Sequence, residues 1–289
     1  MKSTINYYYN LFPENVVHQK DFFYFWIKDE KFYFAPLHNN KEHVLKIYKK
    51  LLEAKIKANN IVLNRDNNLV TLYKNREYAL IRVNCLENEE VELENFFNLV
   101  SNENPIEWGK IWSNKIDYYG YQVNQRALGK ESILNSFSYY IGLAENAVEY
   151  YNMIEKKEVL VGVQHRRLYA KNYEINYYNP LNMVFDFNVR DLSEYIKFSF
   201  FYGEIKTDRL INYINKLNLN STMMNLLFSR LLFPTYYFDA YDKVLNEENG
   251  DEEIIRIFKR AISYEKFIKD FYWFFVHTHN LLKIDWLVK

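Results

Sequence analysis

VQHRRLYAKN (163–172) is the stretch on which the reading of this chain turns. It continues EVLVGV (158–163), a short apolar run that reads as a strand. His165 and Asn172 stand seven positions apart, the outer frame of the phosphoryl-transfer loop H-x-D-x-x-x-x-N. In that loop the third residue is an aspartate that accepts the substrate's hydroxyl proton. Here the third residue is Arg167. Arginine keeps its proton to a pKa above about 12, so it cannot act as a base. The frame is present and its central group is not.

Working outward, DFFYFWIKDEKFYFAPL (21–37) predicts a β-hairpin, with aromatic residues flanking the turn-like KDEK. KEHVLKIYKKLLEAKIKA (41–58) sets Val44, Ile47, Leu51, Leu52, Ala54 and Ile56 at mostly helical spacing. Residues 59–86 read as strand, turn, strand, with Asp66-Asn67-Asn68 as turn chemistry. Residues 1–86 therefore predict a small antiparallel sheet with one helix. After Asn88 helical periodicity takes over, over 89–100, 104–123 and 131–155, and a strand-and-loop region at 158–190 interrupts it. DLSEYIKFSFFY (191–202) opens with Asp191 and Glu194 in capping-box spacing. Helical stretches follow at 207–217, 221–245 and 251–282. There is no internal repeat and no low-complexity linker. A β-rich N-terminal lobe (1–86) joined to a mostly helical C-terminal lobe (87–289) that carries a degenerate loop is the layout of an α+β, protein kinase-like, two-lobed fold. Another α+β topology could share the same order of elements.

Composition narrows the function classes. The chain has 289 residues, 49% of them hydrophobic, enough for a full core. Lys+Arg and Asp+Glu both number 37, so net charge gives no reason to expect nucleic acid or an anionic membrane surface as partner. Cys85 is the only cysteine, which excludes an internal disulfide. MKSTINYYYNLFPENV (1–16) lacks a signal-peptide core, and no apolar run approaches the roughly 20 residues of a membrane span; the expected place of synthesis is the cytoplasm. The 27 Tyr and 22 Phe, with many Asn, Lys and Ile, fit the codon bias of an AT-rich genome. Alternatively, tyrosines such as those of PTYYFDAYD (234–242) lie on the surface for contacts or cross-linking.

Phosphoryl transfer relies on positioning and charge neutralisation, and each part has a residue requirement. A loop that brings backbone close to a triphosphate usually needs glycine, and all seven glycines lie at or after Gly109. The candidate lysine strand KFYFAPL (31–37) has Phe34-Ala35-Pro36 where the lysine is expected. Lys28 and Lys31 fall at the turn and read as solvated. Arg82, in YALIRVN (78–84), reads as a surface or interlobe ion pair ahead of a phosphate ligand. His165 reads as a residue that holds the loop's backbone by hydrogen bonds. Asn172 is in register for a metal ion. The metal-binding aspartate is expected within NPLNMVFDFNVRDLSEYI (179–196), which offers Asn182 or Asp186. Asp186-Phe187-Asn188 has a superficial D-F-G look, and a neutral asparagine binds Mg²⁺ far less well than a carboxylate. Arg166 and Arg167 form either ion pairs within their lobe or a fork for an anion. His277 and His279 have no Cys or carboxylate cluster beside them and read as polar decoration of a helix end rather than a metal site.

Three stretches carry a family likeness. SFSYYIGLAENAVEYY (136–151), VRDLSEYIKFSF (189–200) and SRLLFPTYYFDAYDKVL (229–245), with KIDWL (283–287), resemble the spore coat-associated YutH family, a divergent branch of the CotS-type coat proteins. That branch is similar in turn to choline kinase and aminoglycoside phosphotransferases. The resemblance implies an aminoglycoside phosphotransferase-type fold. It places the family's metal position, in a P-x-D-W context, on Pro180-Leu181-Asn182-Met183, which favours Asn182 over Asp186. The family loop C-H-H-R-F is close to Gln164-His165-Arg166-Arg167-Leu168. The expectation is a pseudokinase with no catalytic residue, no metal site and no required cofactor, residual ATP and Mg²⁺ binding aside. It is expected to be made in the mother-cell cytoplasm, deposited in the spore coat and partnered by other coat proteins. The alternatives are a divergent small-molecule phosphotransferase built on Asp186, and a small-ligand sensor that binds without chemistry.

Overall fold

The computed structural model describes residues 1–84, 93–168, 177–246 and 250–288. The chain divides into two compact units. The first is Met1–Asn104 with Val161–Asn188; the second is Pro105–Leu160 with Val189–Lys289. The boundary expected at 86/87 lies outside the described residues.

The first unit holds α1 (Lys2–Tyr9), β1 (Val16–Gln19), β2 (Phe22–Ile27), β3 (Glu30–Pro36), α2 (Lys41–Glu53), β4 (Asn60–Val62), β5 (Thr71–Tyr73), β6 (Arg76–Arg82), α3 (Leu93–Phe97), β7 (Val100–Ser101), β8 (Val161–His165) and β9 (Met183–Phe187). Strands β1–β6 form an antiparallel sheet in the order β1-β2-β3-β6-β4, with β5 also pairing β6. A second sheet runs β7-β8-β9. The first sheet is apolar on both faces, as alternation along β2, β3 and β6 requires. Phe25, Phe32, Phe34, Tyr78 and Leu80 meet Ile5 of α1 on one side. Tyr33, Ala79 and Ile81 meet Val44 of α2 and Leu181 on the other. The N-terminal region thus holds two helices where periodicity gave one. α1 is too short, and its YYY run too evenly aromatic, to show a stripe.

The hairpins turn without glycine. Lys20, Lys28, Lys74 and Asn75 take positive φ at 54°, 52°, 48° and 61°. The paired positive φ of Lys74-Asn75 is the type I′ geometry that suits the twist of a two-residue hairpin. Gln19 pairs Phe22 across β1–β2, so only Lys20 and Asp21 connect these strands. A turn that short has no backbone to fold over a triphosphate.

The second unit is helical: α4 (Trp108–Arg126), α5 (Glu131–Met153), α6 (Arg190–Tyr202), α7 (Thr207–Lys216), α8 (Ser221–Leu232), α9 (Thr235–Leu245), α10 (Glu252–Lys259), α11 (Ala261–His279) and α12 (Asp285–Val288). Four expectations are corrected. The helix over 221–245 is two helices, because Pro234 cannot continue the ladder and breaks it between α8 and α9. The helix over 251–282 also breaks, at Arg260. The helix over 41–58 stops at Glu53, and Lys55 takes φ 56° as the chain turns off. Asp191 makes no capping box: the N-cap of α6 is Val189, and Glu194 bonds Lys197 instead. The tyrosines of PTYYFDAYD are not at the surface either. Tyr236, Tyr237 and Tyr241 are all buried in the core, where α9 turns its aromatic face inward.

Candidate functional site

The chain forms a braced loop where β8 meets β9. All five residues of β8 are buried. Gly162 is required there: a Cβ on it would lie 2.8 Å from the Leu99 carbonyl, the same oxygen that accepts from Val163 N at 3.1 Å. Asp186 stands opposite Gly162 on β9. It is fully buried, and its Oδ1 accepts from Phe187 N at 2.8 Å. Its carboxylate is folded onto its own strand.

His165 ends β8 and is also fully buried. Its ring stacks on Tyr177, 4.9 Å between centroids and 6° between planes, and meets Phe96 edge-on at 4.6 Å. Nε2 lies 2.8 Å from the Tyr177 carbonyl; a carbonyl can only accept, so Nε2 carries the proton. Through this bond the imidazole joins the end of β8 to Tyr177.

Beyond His165 the loop is pinned by asparagines. Arg166 N donates to the Asn182 carbonyl at 2.6 Å, and Asn182 Nδ2 donates to the Arg167 carbonyl at 2.8 Å. Arg167 and Asn182, the residues expected at the base and metal positions, therefore meet through an amide donor. Asn179 Oδ1 accepts from Leu181 N and caps the 3-10 turn Pro180–Asn182. From the residue before the N-cap of α2, Asn39 Nδ2 donates to the carbonyls of Met183 at 2.9 Å and Leu181 at 3.3 Å. Asn59 N donates to the Tyr178 carbonyl at 2.8 Å. Arg167 Nη1 donates to the Arg166 carbonyl. Asn172 lies outside the described residues. The structure thus joins Arg167 to Asn182 by a hydrogen bond, sets His165 at the start of the same loop, and buries Asp186 on β9. Asn39, Asn179, Tyr177, Gly162 and the backbone amide of Asn59 were missed from sequence; asparagine content is a signal for Asn39 and Asn179 alone, and codon bias also explains it.

The other candidates separate cleanly. Phe34 is fully buried on β3, where a lysine was sought. Lys28 is exposed in its turn. Lys31 is not simply solvated: its Nζ lies 5.2–5.8 Å over the rings of Tyr33, Trp26 and Tyr24, a cation–π contact set by the β2–β3 pairing Trp26↔Lys31. Arg82 Nη1 pairs with Glu30 Oε1 at 3.1 Å across β3–β6. His277 is exposed, and His279 bonds Thr278 with its pKa lowered by burial. Among the described residues, no group of three or more His, Cys, Asp or Glu is arranged to hold a metal ion. Among them too, no helix is long and apolar enough to cross a membrane.

The family model described as "Spore coat putative kinase YutH" matches residues 2–271. The chain belongs to the YutH family. The curated endospore coat-associated protein YutH of Bacillus subtilis is 25% identical over 185 residues, 56% of this chain and 55% of that protein, so the match spans about half the length of each. Among solved structures, an aminoglycoside phosphotransferase from Alicyclobacillus acidocaldarius superposes with a TM-score of 0.60 at 10% identity, covering 93% of this chain and 94% of that one. Choline kinase LicA of Streptococcus pneumoniae superposes at 0.53 and 10% identity, covering 91% and 96%. This YutH-family chain has the kinase-like fold of those phosphotransferases. Its family-specific segments build the core of the second unit. Tyr140 of the GLAENA segment stacks on Tyr237 of the LLFP segment at 3.9 Å between centroids, and Ser136 Oγ bonds Tyr237 OH at 2.9 Å.

Proposed function

We propose that this chain is a kinase-like scaffold without phosphotransfer, serving as a structural or binding component in assembly of the endospore coat. In this reading it is made in the mother-cell cytoplasm, carried into the coat and held there by other coat proteins. The coat association rests on the family and on the name of the Bacillus subtilis relative.

The observation that carries the absence of chemistry is the Asn182 Nδ2 to Arg167 carbonyl hydrogen bond. A metal-binding aspartate in that position has no N–H to give and would set two acceptors against each other. The loop is stable as built because its metal position is an amide. Arg167 cannot take a proton, the β1–β2 turn is two residues long, and Phe34 fills the strand position of the lysine. Four separate parts of phosphoryl transfer are replaced.

Thermal unfolding with ATP, Mg²⁺ and both together tests this. A ligand that binds only the folded state at a hundredfold excess over its Kd adds about 2.7 kcal/mol. The expected result at millimolar ATP is no shift. A Mg²⁺-dependent shift, abolished by Asp186→Ala in a variant that still folds, would instead revive the alternative, a divergent small-molecule phosphotransferase, which ATP consumption across a substrate panel then decides.

A further inference from the structure

On the second unit, remote in sequence from the braced loop, the end of α10 and its C-cap present three cations. Arg256, Lys259 and Arg260 line a recess of about 410 Å³ with Ile255 and Glu252. A second recess, of about 430 Å³, adjoins it and shares Glu252 and Arg256. Two of the cations are held in place by rings of α6. The Arg256 guanidinium lies 4.4 Å over Tyr202, and that of Arg260 lies 4.7 Å over Phe200. Stacking spends the face of a guanidinium and leaves N–H edges for planar oxyanions, and it fixes the fork before anything binds.

In the walls two carboxylates, Glu252 and Glu253, stand against three cations, and Asp239 lies within electrostatic reach of Tyr202. Glu253 is occupied three times over: by Tyr202 OH at 2.6 Å, by Lys243 at 3.4 Å and by Arg256 at 3.9 Å. Arg260 spends one N–H on the Phe201 carbonyl. Glu252 is the remaining carboxylate of the wall. Beside the cations, Ile255, Phe258 and Ile262 are exposed, the last at 82%. Ile255 and Phe258 stand at i, i+3 on α10 and Ile262 at the start of α11; Phe258 also leans on Tyr139 and Tyr140, while Ile254 and Ile257 are buried.

We propose that this face is a docking site for an acidic segment of a partner polypeptide, with carboxylate or phosphoryl oxyanions on Arg256, Lys259 and Arg260 and flanking apolar side chains on Ile255, Phe258 and Ile262. The charge is complementary to such a segment, and the exposed apolar side chains give it something to bury that a free anion lacks. The site does not depend on the reading of the braced loop.

Fluorescence anisotropy of the full chain with three probes tests it: a labelled peptide alternating Glu with Leu and Phe, the same peptide with phosphoserine in place of one Glu, and inorganic phosphate as competitor. Both peptides are expected to bind, more weakly as salt rises. Lys259→Glu, at a position with no packing role, should weaken binding at least tenfold. Arg256→Gln with Arg260→Gln should abolish it, with folding verified by thermal melting. Glu252→Gln should tighten it, which no loss of structure would do. Ile262→Ser should weaken the peptides several-fold. Affinity indifferent to Lys259→Glu and Glu252→Gln overturns the assignment. So does displacement of the peptide by phosphate at an equal concentration, which would leave the oxyanion alone as ligand.

Discussion

The two units bury polarity in opposite ways. In the first, the buried polar side chains are mostly neutral: Asn59, Asn64, Gln164, His165, Asn179 and Asn188, with Asp186 the charged exception. They serve backbone groups: His165 and Asn179 those of the braced loop, Asn64 those of its own 64–70 turn, Asn59 the Asn84 amide and Asn188 the Phe97 carbonyl. In the second, whole charges go under: Arg190, Asp191, Lys197 and Arg230. Lys197 Nζ is shared among Glu194 at 3.0 Å, Thr235 Oγ1 at 2.6 Å and the Arg230 carbonyl at 3.2 Å. Arg190 and Arg230 both lie against Trp108, at 4.6 and 4.8 Å. Around them phenols fill the core. The contrast separates identity from chemistry. The segments that carry the family likeness are packing elements of the helical unit. The segment expected to carry catalysis lies in the other unit, braced by hydrogen bonds from asparagine side chains and from backbone amides.

The largest effect that would break the comparison is alkaline. Burial pushes the phenols of Tyr140, Tyr150, Tyr236 and Tyr264 far above their ordinary value, and that of Tyr237 up to about 12. A folded pKa raised above the unfolded value of about 10 gives stability that is complete below pH 10 and lost as pH rises through the folded pKa. Each such group costs about 1.4 kcal/mol at one pH unit above 10, so four cost about 5–6 kcal/mol, as much as a small domain's whole stability. In the first unit Tyr9 is shifted in the same direction, to about 12. Helical circular dichroism should therefore collapse between pH 10 and 12, together with a sudden rise in phenolate absorbance. A gradual rise in phenolate absorbance with helix retained would mean that the tyrosine core is open to water.

Next come two changes in the first unit. Gly162→Ala drives a Cβ against the Leu99 carbonyl, which is backbone and cannot swing away. Overpacking of this kind costs about 1–3 kcal/mol, and amide exchange should rise in β8 and β9 while α5 and α8 stay protected. Equal loosening of both units would show that they share one cooperative core. Asn182→Asp removes one hydrogen bond and opposes a carboxylate to the Arg167 carbonyl. The expected loss is about 1–2 kcal/mol, with no Mg²⁺ affinity gained. A variant that is stable and binds Mg²⁺ would turn the reading of this loop around.

How legible this was in the sequence differs by unit for physical reasons. The hairpins, α2 and the long helices are written in local periodicity, and the KDEK and Asp66-Asn67-Asn68 turns in residue type. Helix breaks at Pro234 and Arg260 were lost because apolar spacing runs straight through them. The tyrosines of α9 were misplaced because a phenol is equally at home at a surface or in a core, and only packing partners such as Tyr140 decide. In the site, His165, Arg167 and Asn182 could be found from spacing and from the family pattern. Their bracing by Asn39 and Asn59 could not, since those residues lie more than a hundred positions upstream and contribute through contacts that no local motif records.

The smallest effect is the sharpest test of how empty the first unit's chemistry is. Arg82 was the cation inside a later strand that the sequence offered as an alternative phosphate ligand. It pairs instead with Glu30, with the two side chains 40% and 55% exposed. Solvent and salt screen such a pair, and exposed pairs contribute about 0–1 kcal/mol. Arg82→Gln should shift the melting temperature by no more than a degree or two and should leave any nucleotide response as it was. Glu30→Gln should match it, since either change removes the same pair. If Arg82→Gln alone altered a response to ATP while Glu30→Gln did not, the guanidinium would be serving a phosphate after all, and the first unit would have to be redrawn as a site with its cation on β6 instead of β3.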